Sequence, residues 1–445
     1  MDQPEIKHTF FTKHIELLKK SKFFKDVSLV FITNIISNAL NFFGFLLVAK
    51  ALSSDDYGRL ATILAVVTGI SDLSNLGMNA STIRFTAIFK SKKESGKINS
   101  LLSTVFTNIC LISLLIIGVF LIFSAPVTEL FLKDTTYKGL IIISSFGILI
   151  ALLYSFFSSV FQGLQDFKSY FIYNVLLSVL KISFVAGFFF FVGLNLTNVV
   201  IILVFLPVFS VISSFYFLKP YRISPLLYDR SLQKETFSFG KWMLLWSVAA
   251  ILQSRVSTYL LASMMNVTEV SYYDIAKKFS NIVMFGMGAF ATVLNTKLAS
   301  LTDRQKIREF VSKSKLVVLG FTVVLLASAF LFPIFLKFLY GDKYGGAFIP
   351  MSIIMVSLIS YVWTLPYNSG LYSLGKSKVF FIQAVAGLVI ESGISIILIP
   401  KFGAVGASVS FGITYALVLL MSIFYFKKYI SEKTPEEKDD KSTDE

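Results

Sequence analysis

Residues 100–124 read SLLSTVFTNICLISLLIIGVFLIFS, an apolar run without a charged side chain. A helix rises about 1.5 Å per residue, so this run can cross a hydrocarbon core roughly 30 Å thick. Eleven more runs of about 20 to 25 residues occur along the chain. Together they predict twelve transmembrane helices, near residues 27–49, 59–83, 100–124, 139–162, 170–192, 197–218, 237–262, 279–298, 316–338, 347–368, 379–400 and 404–426.

The composition excludes a soluble domain. Of 445 residues, 55% are hydrophobic and only 15% are charged, which lies outside the range of soluble proteins. The apolar runs are continuous, unlike the alternating ten-residue strands of an outer-membrane barrel. An open sheet cannot satisfy its backbone hydrogen bonds in lipid. The sequence therefore predicts an all-α integral membrane protein.

The second half of the chain repeats the first half. Two six-helix lobes related by an internal repeat, with the substrate site between them, are typical of a transporter. The local repeats are Phe131-Leu132 with Tyr137 and Gly139, which recur as Phe338-Leu339 with Tyr344 and Gly346, and Tyr57 with Ala61, which recur as Tyr272 with Ala276. The predicted parts are an amphipathic cytoplasmic tail (1–26), an N-terminal lobe (27–218), a cytoplasmic linker (219–236), a C-terminal lobe (237–428) and a disordered charged cytoplasmic tail (429–445).

The net charge of +15 reports topology rather than a nucleic-acid partner. Most lysines and arginines fall in the tails and in the even-numbered loops. This bias predicts a plasma-membrane protein whose two termini are both cytoplasmic. Anionic membrane lipids are therefore the expected partners of the basic segments. One such segment, residues 302–315, is expected to lie on the membrane as a separate helix. Thr302 or Asp303 would cap it, and Ile307, Phe310 and Val311 would dip into lipid.

Four charged residues lie in the middle of predicted spans, where a charge is costly and marks a functional hypothesis. They are Asp72, Lys181, Arg255 and Glu391. Polar residues at helical spacing accompany them, which predicts a shared aqueous interior. The stripes are Asn34, Asn38 and Asn41; Asp72, Asn75 and Asn79; Asn174, Ser178 and Lys181; and Gln383, Glu391 and Ser395. The plainer interpretation is that single Asn or Ser side chains only bond a neighbouring helix, at about 0.6 kcal/mol each.

The repeat relates two of these charges. An offset of about 210 positions, which aligns the segments after the fourth and tenth spans, carries Lys181 onto Glu391. We expect both to face the cleft between the lobes and to pair in one state of the transport cycle. Arg255 and Lys181 are the candidates for binding an anionic substrate, since Arg offers a fixed fork of donors and Lys a mobile charge. The Asn and Ser stripes suit sugar hydroxyls, which both donate and accept hydrogen bonds.

Signals for an enzyme are weak. The two histidines, His8 and His14, lie in the tail, and Cys110 is the single cysteine. No metal-site spacing or phosphate-binding glycine loop is visible. The sequence predicts a protein without cofactor, driven by an ion gradient such as Na⁺ or H⁺, by the membrane potential or by the substrate's own gradient rather than by ATP.

Several short motifs, in order over residues 25–428, resemble the oligosaccharide flippase family of polysaccharide biosynthesis membrane proteins, within the MATE-like exporter superfamily. These motifs are VAKALSSDDYGRLA (48–61), QGLQDFKSY (162–170), SYYDIAKKFS (271–280) and FLYGDKYGGA (338–347). The resemblance implies two six-helix lobes in a V around a cationic cavity. It also implies translocation of polyprenyl-diphosphate-linked oligosaccharides between leaflets, for O-antigen-type glycans. Lys181 and Arg255 fit such a cavity, although the family often has an acidic residue near the position of Arg255.

Three other functions stay open. One of them, a non-transporting scaffold, does not explain the charged residues within the spans. A MATE-type cation-coupled exporter of amphipathic drugs would bind substrate through Asp72 and Glu391 instead. A membrane glycan polymerase or ligase is disfavoured, because no predicted extracytoplasmic loop exceeds about fifteen residues and none carries a catalytic cluster. For the flippase, the expected partners are the lipid-linked oligosaccharide and glycan polymerase or glycosyltransferase machinery, and the expected oligomeric state is a monomer.

Overall fold

The computed structural model describes residues 22–75, 77–299, 303–376 and 378–431. This part of the chain is helical and contains no strand. The predicted tails fall largely outside the described residues. The helices are α1 (Lys22–Ala51), α2 (Ser54–Ser74), α3 (Met78–Ser91), α4 (Ser95–Leu132), α5 (Lys138–Gly163), α6 (Phe167–Gly187), α7 (Leu196–Phe205), α8 (Pro207–Phe217), α9 (Arg230–Met264), α10 (Val267–Ala299), α11 (Arg304–Tyr340), α12 (Phe348–Ser373) and α13 (Lys378–Ser431).

The protein is an integral membrane protein. Within the described ranges, eight helices are long and apolar enough to cross a membrane, or nine if α2 and α3 form one bent span. The prediction of an all-helical membrane protein is confirmed, and the count of twelve spans stays a prediction. The 54 residues of α13 contain a break at Gly403, with φ at 54°, shortly after Pro400. That break separates the two runs that the sequence predicts as the last two spans.

The predicted second span, residues 59–83, is not one straight helix. It divides into α2 and α3, which are bent by 47°. Gly77 precedes α3 with φ at 73°, a left-handed conformation that glycine adopts without a Cβ clash. The expectation that Asp72, Asn75 and Asn79 share one face of a continuous helix is therefore wrong.

The predicted interfacial helix at 302–315 is the first third of α11. Of the two expected caps, Asp303 caps the helix, because its side chain accepts a hydrogen bond from the Gln305 amide at 2.8 Å. Ile307 and Val311 do not face lipid, contrary to expectation. They are buried in one cluster with other apolar side chains, because this part of α11 packs against neighbouring helices. The cluster also contains Leu298, Leu371, Val379 and Phe426.

The start of α9 is fixed by Asp229. Its carboxylate accepts hydrogen bonds from the Ser231 hydroxyl at 2.7 Å and from the Ser231 amide at 2.8 Å. These bonds hold the pKa of Asp229 below its usual value, because they favour the charged carboxylate. The linker between the predicted lobes thus enters α9 through a capped N-terminus.

The chain forms two compact units. Unit 1 comprises residues up to Ala51, 70–124 and 139–241. In it α1 packs along α6, and aromatic residues of α5 and α6 fill the interior. The rings of Tyr154 and Tyr173 stack with their centroids 5.0 Å apart, and Phe156 and Phe161 are fully buried.

Unit 2 comprises residues 52–69, 125–138 and 242–445. In it α12 packs against α10, α11 and α13. The beginning of α2 belongs to this unit and meets the beginning of α10 closely. A Cβ on Gly58 would lie 1.8 Å from the Val267 carbonyl oxygen, so only glycine permits this approach. The lobe boundaries that the sequence predicts stay a prediction.

Candidate functional site

In unit 1, polar side chains of three helices are joined by hydrogen bonds. The Asn41 amide of α1 donates to the Ser178 hydroxyl of α6 at 3.5 Å. Asn174, one turn before Ser178, accepts from the Tyr154 hydroxyl of α5 at 2.6 Å. The Ser178 hydroxyl in turn donates to the backbone carbonyl of Asn174 at 3.2 Å. Residues that the sequence assigns to two separate stripes thus form one connected group.

A third stripe reaches the same region through α3. The Asn79 amide donates to the Ser155 hydroxyl, the neighbour of Tyr154, at 2.5 Å. Asn75 lies at the bend and accepts from the Asn79 backbone amide at 3.0 Å. Tyr154 and Ser155 were not predicted as site residues. They carry no distinctive signal in the sequence, because the predicted fourth span also contains other polar residues such as Ser144, Ser145, Ser158 and Ser159.

Other predicted residues of unit 1 lie on the same helices. Asn34 and Asn38 precede Asn41 on α1, the first exposed and the second half-buried. Lys181 is half-buried and lies one turn beyond Ser178 on α6, and Asp72 is exposed on α2. The half-buried side chains can both donate and accept hydrogen bonds, and Lys181 adds a positive charge. This combination suits a ligand that carries hydroxyl groups.

In unit 2, the centre of polar contacts is Glu391 of α13. Its side chain is only 3% exposed and accepts a hydrogen bond from the Ser257 hydroxyl of α9 at 2.7 Å. Ser257 also lies 3.4 Å from the hydroxyl of Ser395, one turn beyond Glu391. A buried carboxylate needs such donors, because its desolvation is otherwise uncompensated.

A lysine that the sequence interpretation missed lies within electrostatic range of this carboxylate. Lys277 of α10 donates to the Ser254 carbonyl of α9 at 2.9 Å, and its ammonium lies 5.3 Å from the centre of the Tyr273 ring. Its charge is attracted to Glu391 and repelled by Arg255, which is half-buried on α9. Lys277 was assigned to a loop, because it lies just before the predicted eighth span.

Two predicted relationships have different outcomes. Gln383 does not join the Glu391 group; its amide donates to Ser422 at 3.0 Å and to Asn368 at 3.3 Å. This arrangement matches the plainer interpretation, in which a polar side chain holds neighbouring helices together. The pairing of Lys181 with Glu391 stays a prediction, since Lys181 belongs to unit 1 and Glu391 to unit 2.

A second polar group of unit 2 lies where α9 turns into α10. The Tyr57 hydroxyl of α2 donates to the Asp274 carboxylate at 2.7 Å. Thr268 donates to the side chain of Asp55. Asp274 and Lys277 lie one turn apart on α10, so this group and the Glu391 group are neighbours on one helix.

Comparisons with known proteins agree on a family and a fold. A family model described as "Polysaccharide biosynthesis protein" matches residues 23–295. A Shigella flexneri protein provisionally named O-antigen transporter is 22% identical over 400 residues, which cover 87% of this chain and 93% of that protein.

Two solved structures share the fold. A multidrug resistance MATE family transporter of the MOP superfamily, in an inward-facing conformation, has a TM-score of 0.78 at 13% identity and covers 89% of this chain and 94% of its own. The lipid II flippase MurJ, in an inward closed conformation, has a TM-score of 0.74 at 16% identity and covers 90% of this chain and 89% of its own. The predicted MATE-like architecture is thereby confirmed.

Proposed function

The chain belongs to the polysaccharide biosynthesis protein family, and from this premise we propose that it is a flippase for polyprenyl-diphosphate-linked oligosaccharides. It moves the substrate from the cytoplasmic to the outer leaflet of the plasma membrane, for O-antigen-type glycan synthesis. The provisional name of the Shigella flexneri relative and the lipid II flippase among the structural neighbours support this assignment.

The observation that carries the proposal is the connected polar group of unit 1. Asn41, Asn79, Asn174 and Ser178 combine amide and hydroxyl groups from α1, α3 and α6 within a bundle that spans the membrane. A sugar can exchange hydrogen bonds with such a surface in either direction. The cost of bringing these amides into the membrane is offset by their hydrogen bonds to Ser155, Ser178 and Tyr154, and a glycan can replace some of these bonds.

The diphosphate of the substrate requires positive charge. We assign this role to Lys181 on α6 and Arg255 on α9, which lie in the predicted fifth and seventh spans and are half-buried. Arginine binds phosphate oxygens through two parallel N–H groups, whereas lysine acts as a point charge. The prenyl chain remains in lipid during translocation, since it is as apolar as the acyl chains around it.

Transport proceeds by alternating access, with both chain termini in the cytoplasm. A gradient of Na⁺ or H⁺ is the proposed energy source. The protein performs no catalytic step, and glycan polymerase or glycosyltransferase machinery supplies or consumes its substrate. The negative charges of Asp72 and Glu391 partly neutralise Lys181 and Arg255 as the protein changes between its substrate-bound and empty states.

One observation favours a second candidate, the exporter of amphipathic cationic drugs. Glu391 is a buried carboxylate inside unit 2, and buried carboxylates in membrane helices can bind organic cations. The positive charge of Lys277 interacts with Glu391 and would compete with an organic cation for this carboxylate. We therefore rank this candidate second.

The test is a transport assay in proteoliposomes with two labelled substrates. Purified protein is reconstituted with a fluorescent polyprenyl-diphosphate oligosaccharide or loaded with a cationic dye. We expect the lipid-linked glycan to reach the opposite leaflet and the dye to stay where it is. Efflux of the dye without glycan movement, by protein shown to be folded, would favour the exporter.

A further inference from the structure

Three lysines lie over the rings of two tyrosines of unit 2, and both tyrosines pack against the same buried cluster. Lys315 of α11 lies 5.7 Å from the Tyr367 ring centre. Lys376, in the turn after α12, lies 4.3 Å from the Tyr429 ring centre, and Lys428 lies 5.7 Å from it. These five residues are called the lysine–tyrosine patch. Each ammonium is held over an aromatic face, an attraction worth about 0.5–1 kcal/mol at exposed sites.

Both tyrosines of the patch pack against other aromatic side chains. The Tyr367 ring lies 5.6 Å from Phe426, and Phe426 belongs to the buried cluster with Ile307 and Val311. The Tyr429 ring stacks on Tyr425, with ring centres 6.2 Å apart and planes 12° from parallel. The tyrosines cannot move far without disturbing this cluster, so the ring faces that attract the ammonium groups are in place before any ligand binds.

Helix lengths place the patch at the level of the lipid headgroups. α11 has 37 residues and is therefore about 55 Å long, well beyond a hydrocarbon core of roughly 30 Å. Its first third, residues 304–315, contains five basic residues and the single acidic residue Glu309. Such a segment is suited to the polar headgroup layer. Lys315 ends it, directly before the apolar part of the helix.

An apolar surface continues from the patch into the membrane. Leu316, the residue after Lys315, is 76% exposed. Leu319, Val323 and Leu326 follow at intervals of three or four residues and are more than half exposed, so they form one stripe along α11. A ligand that bridges both surfaces needs an anionic head and an acyl chain.

We propose that the lysine–tyrosine patch binds one anionic glycerophospholipid, such as phosphatidylglycerol. The headgroup phosphate contacts the three ammonium groups, and the tyrosine hydroxyls are donors for the glycerol oxygens. The acyl chains lie along the Leu316–Leu326 stripe. This inference concerns a membrane lipid rather than the transported substrate, and it does not depend on the proposed function.

The test counts lipids on the purified protein by native mass spectrometry. Delipidated protein in detergent is titrated with phosphatidylglycerol or phosphatidylcholine. We expect one phosphatidylglycerol to bind at least tenfold more tightly than phosphatidylcholine, since each lysine near an anionic headgroup contributes about 1 kcal/mol. Equal binding of both lipids would overturn the proposal.

Two variants locate the site. The triple variant Lys315→Ala, Lys376→Ala, Lys428→Ala should lose this preference, and the triple arginine variant at the same positions should keep it. The matched control is Lys337→Ala, Lys343→Ala, Lys401→Ala, which removes the same charge elsewhere in unit 2. Phosphatidylglycerol preference that survives the patch alanine variant, or falls equally in the control, would contradict the assignment. Thermal unfolding of each variant shows that it is folded, and loss of preference in a folded arginine variant would also contradict it.

Discussion

The Tyr57 hydroxyl donates a hydrogen bond to the Asp274 carboxylate at 2.7 Å, although the two residues are 217 positions apart. The bond joins the start of α2 to α10 within unit 2. The Tyr57 ring also meets Tyr344 edge-to-face, with ring centres 6.0 Å apart. Under the predicted topology these residues lie on the outer side of the membrane. By the predicted lobe boundaries, Tyr57 belongs to the N-terminal lobe and Asp274 to the C-terminal lobe, so we expect an outward-opening step of the proposed cycle to break these contacts.

A crosslink across this contact should stop transport. In a Cys110→Ser background, Asp55→Cys with Thr268→Cys joins α2 to α10, because these two side chains touch. We expect oxidation to abolish transport and reduction to restore it, since a covalent bond prevents the separation. Transport is measured in proteoliposomes before and after oxidation.

The control crosslink lies within unit 1. Thr104→Cys with Asp229→Cys links positions where the Thr104 hydroxyl accepts from the Asp229 amide at 2.9 Å. Oxidation of this pair should leave transport intact. Undiminished transport by fully crosslinked Asp55→Cys, Thr268→Cys protein would show that the outer contact does not open.

The break in α13 depends on Gly403. Its φ of 54° is strained for a residue with a Cβ, and an added Cβ would lie 2.3 Å from a Glu269 carboxylate oxygen. The same carboxylate accepts from the Ala404 amide at 2.6 Å and so caps the second part of α13. We expect Gly403→Ala to destabilise the protein by about 1–3 kcal/mol, seen as a lower unfolding midpoint in detergent.

Gly393→Ala is the matched control on the same helix. No atom lies within 4 Å of a Cβ built there, and alanine favours a helix over glycine by about 1 kcal/mol. The midpoint should therefore stay or rise. If both variants behaved alike, the role of the Gly403 conformation would be refuted.

Ser257 should matter for stability because of Glu391. Ser257→Ala removes the 2.7 Å hydrogen bond to a buried carboxylate, and an unsatisfied buried acceptor costs about 1–3 kcal/mol. Ser254→Ala is the control, since its hydroxyl bonds the Ile251 carbonyl of its own helix and Lys277 uses only the Ser254 backbone oxygen. The unfolding midpoints of both variants test this prediction: only Ser257→Ala should lower the midpoint. Equal midpoints would show that the Ser257 hydrogen bond does not stabilise the protein.

The predicted pairing of Lys181 with Glu391 is tested by exchanging their charges. If they pair in one state of the cycle, Lys181→Glu or Glu391→Lys alone should greatly reduce transport, and the double exchange should restore most of it. Transport by the double variant should not recover fully, because a lysine at position 391 cannot accept the hydrogen bond that Ser257 donates to Glu391. Equal loss in single and double variants rules out the pairing.

Sequence patterns predicted the fold class better than the details of the site. Long apolar runs fix a helical membrane protein, because lipid leaves the backbone few other choices. The bend at Gly77 was missed, since one glycine in an apolar run does not reveal its φ. Lys277 was missed because its importance comes from α9 and α13, which approach it only in the folded chain. Ile307 and Val311 have the spacing of a lipid-facing stripe and also that of a buried one, and periodicity does not distinguish the two.

The most direct test of the central claim measures translocation of a labelled polyprenyl-diphosphate oligosaccharide by wild type, Lys181→Ala and Arg255→Ala in proteoliposomes. Lys278→Ala, which removes an exposed charge on α10, serves as the control. We predict that wild type and Lys278→Ala translocate the substrate and that each of the other two loses at least about tenfold in rate, equivalent to 1.4 kcal/mol or more. Translocation at the wild-type rate by folded Lys181→Ala and Arg255→Ala proteins would contradict the proposed diphosphate site.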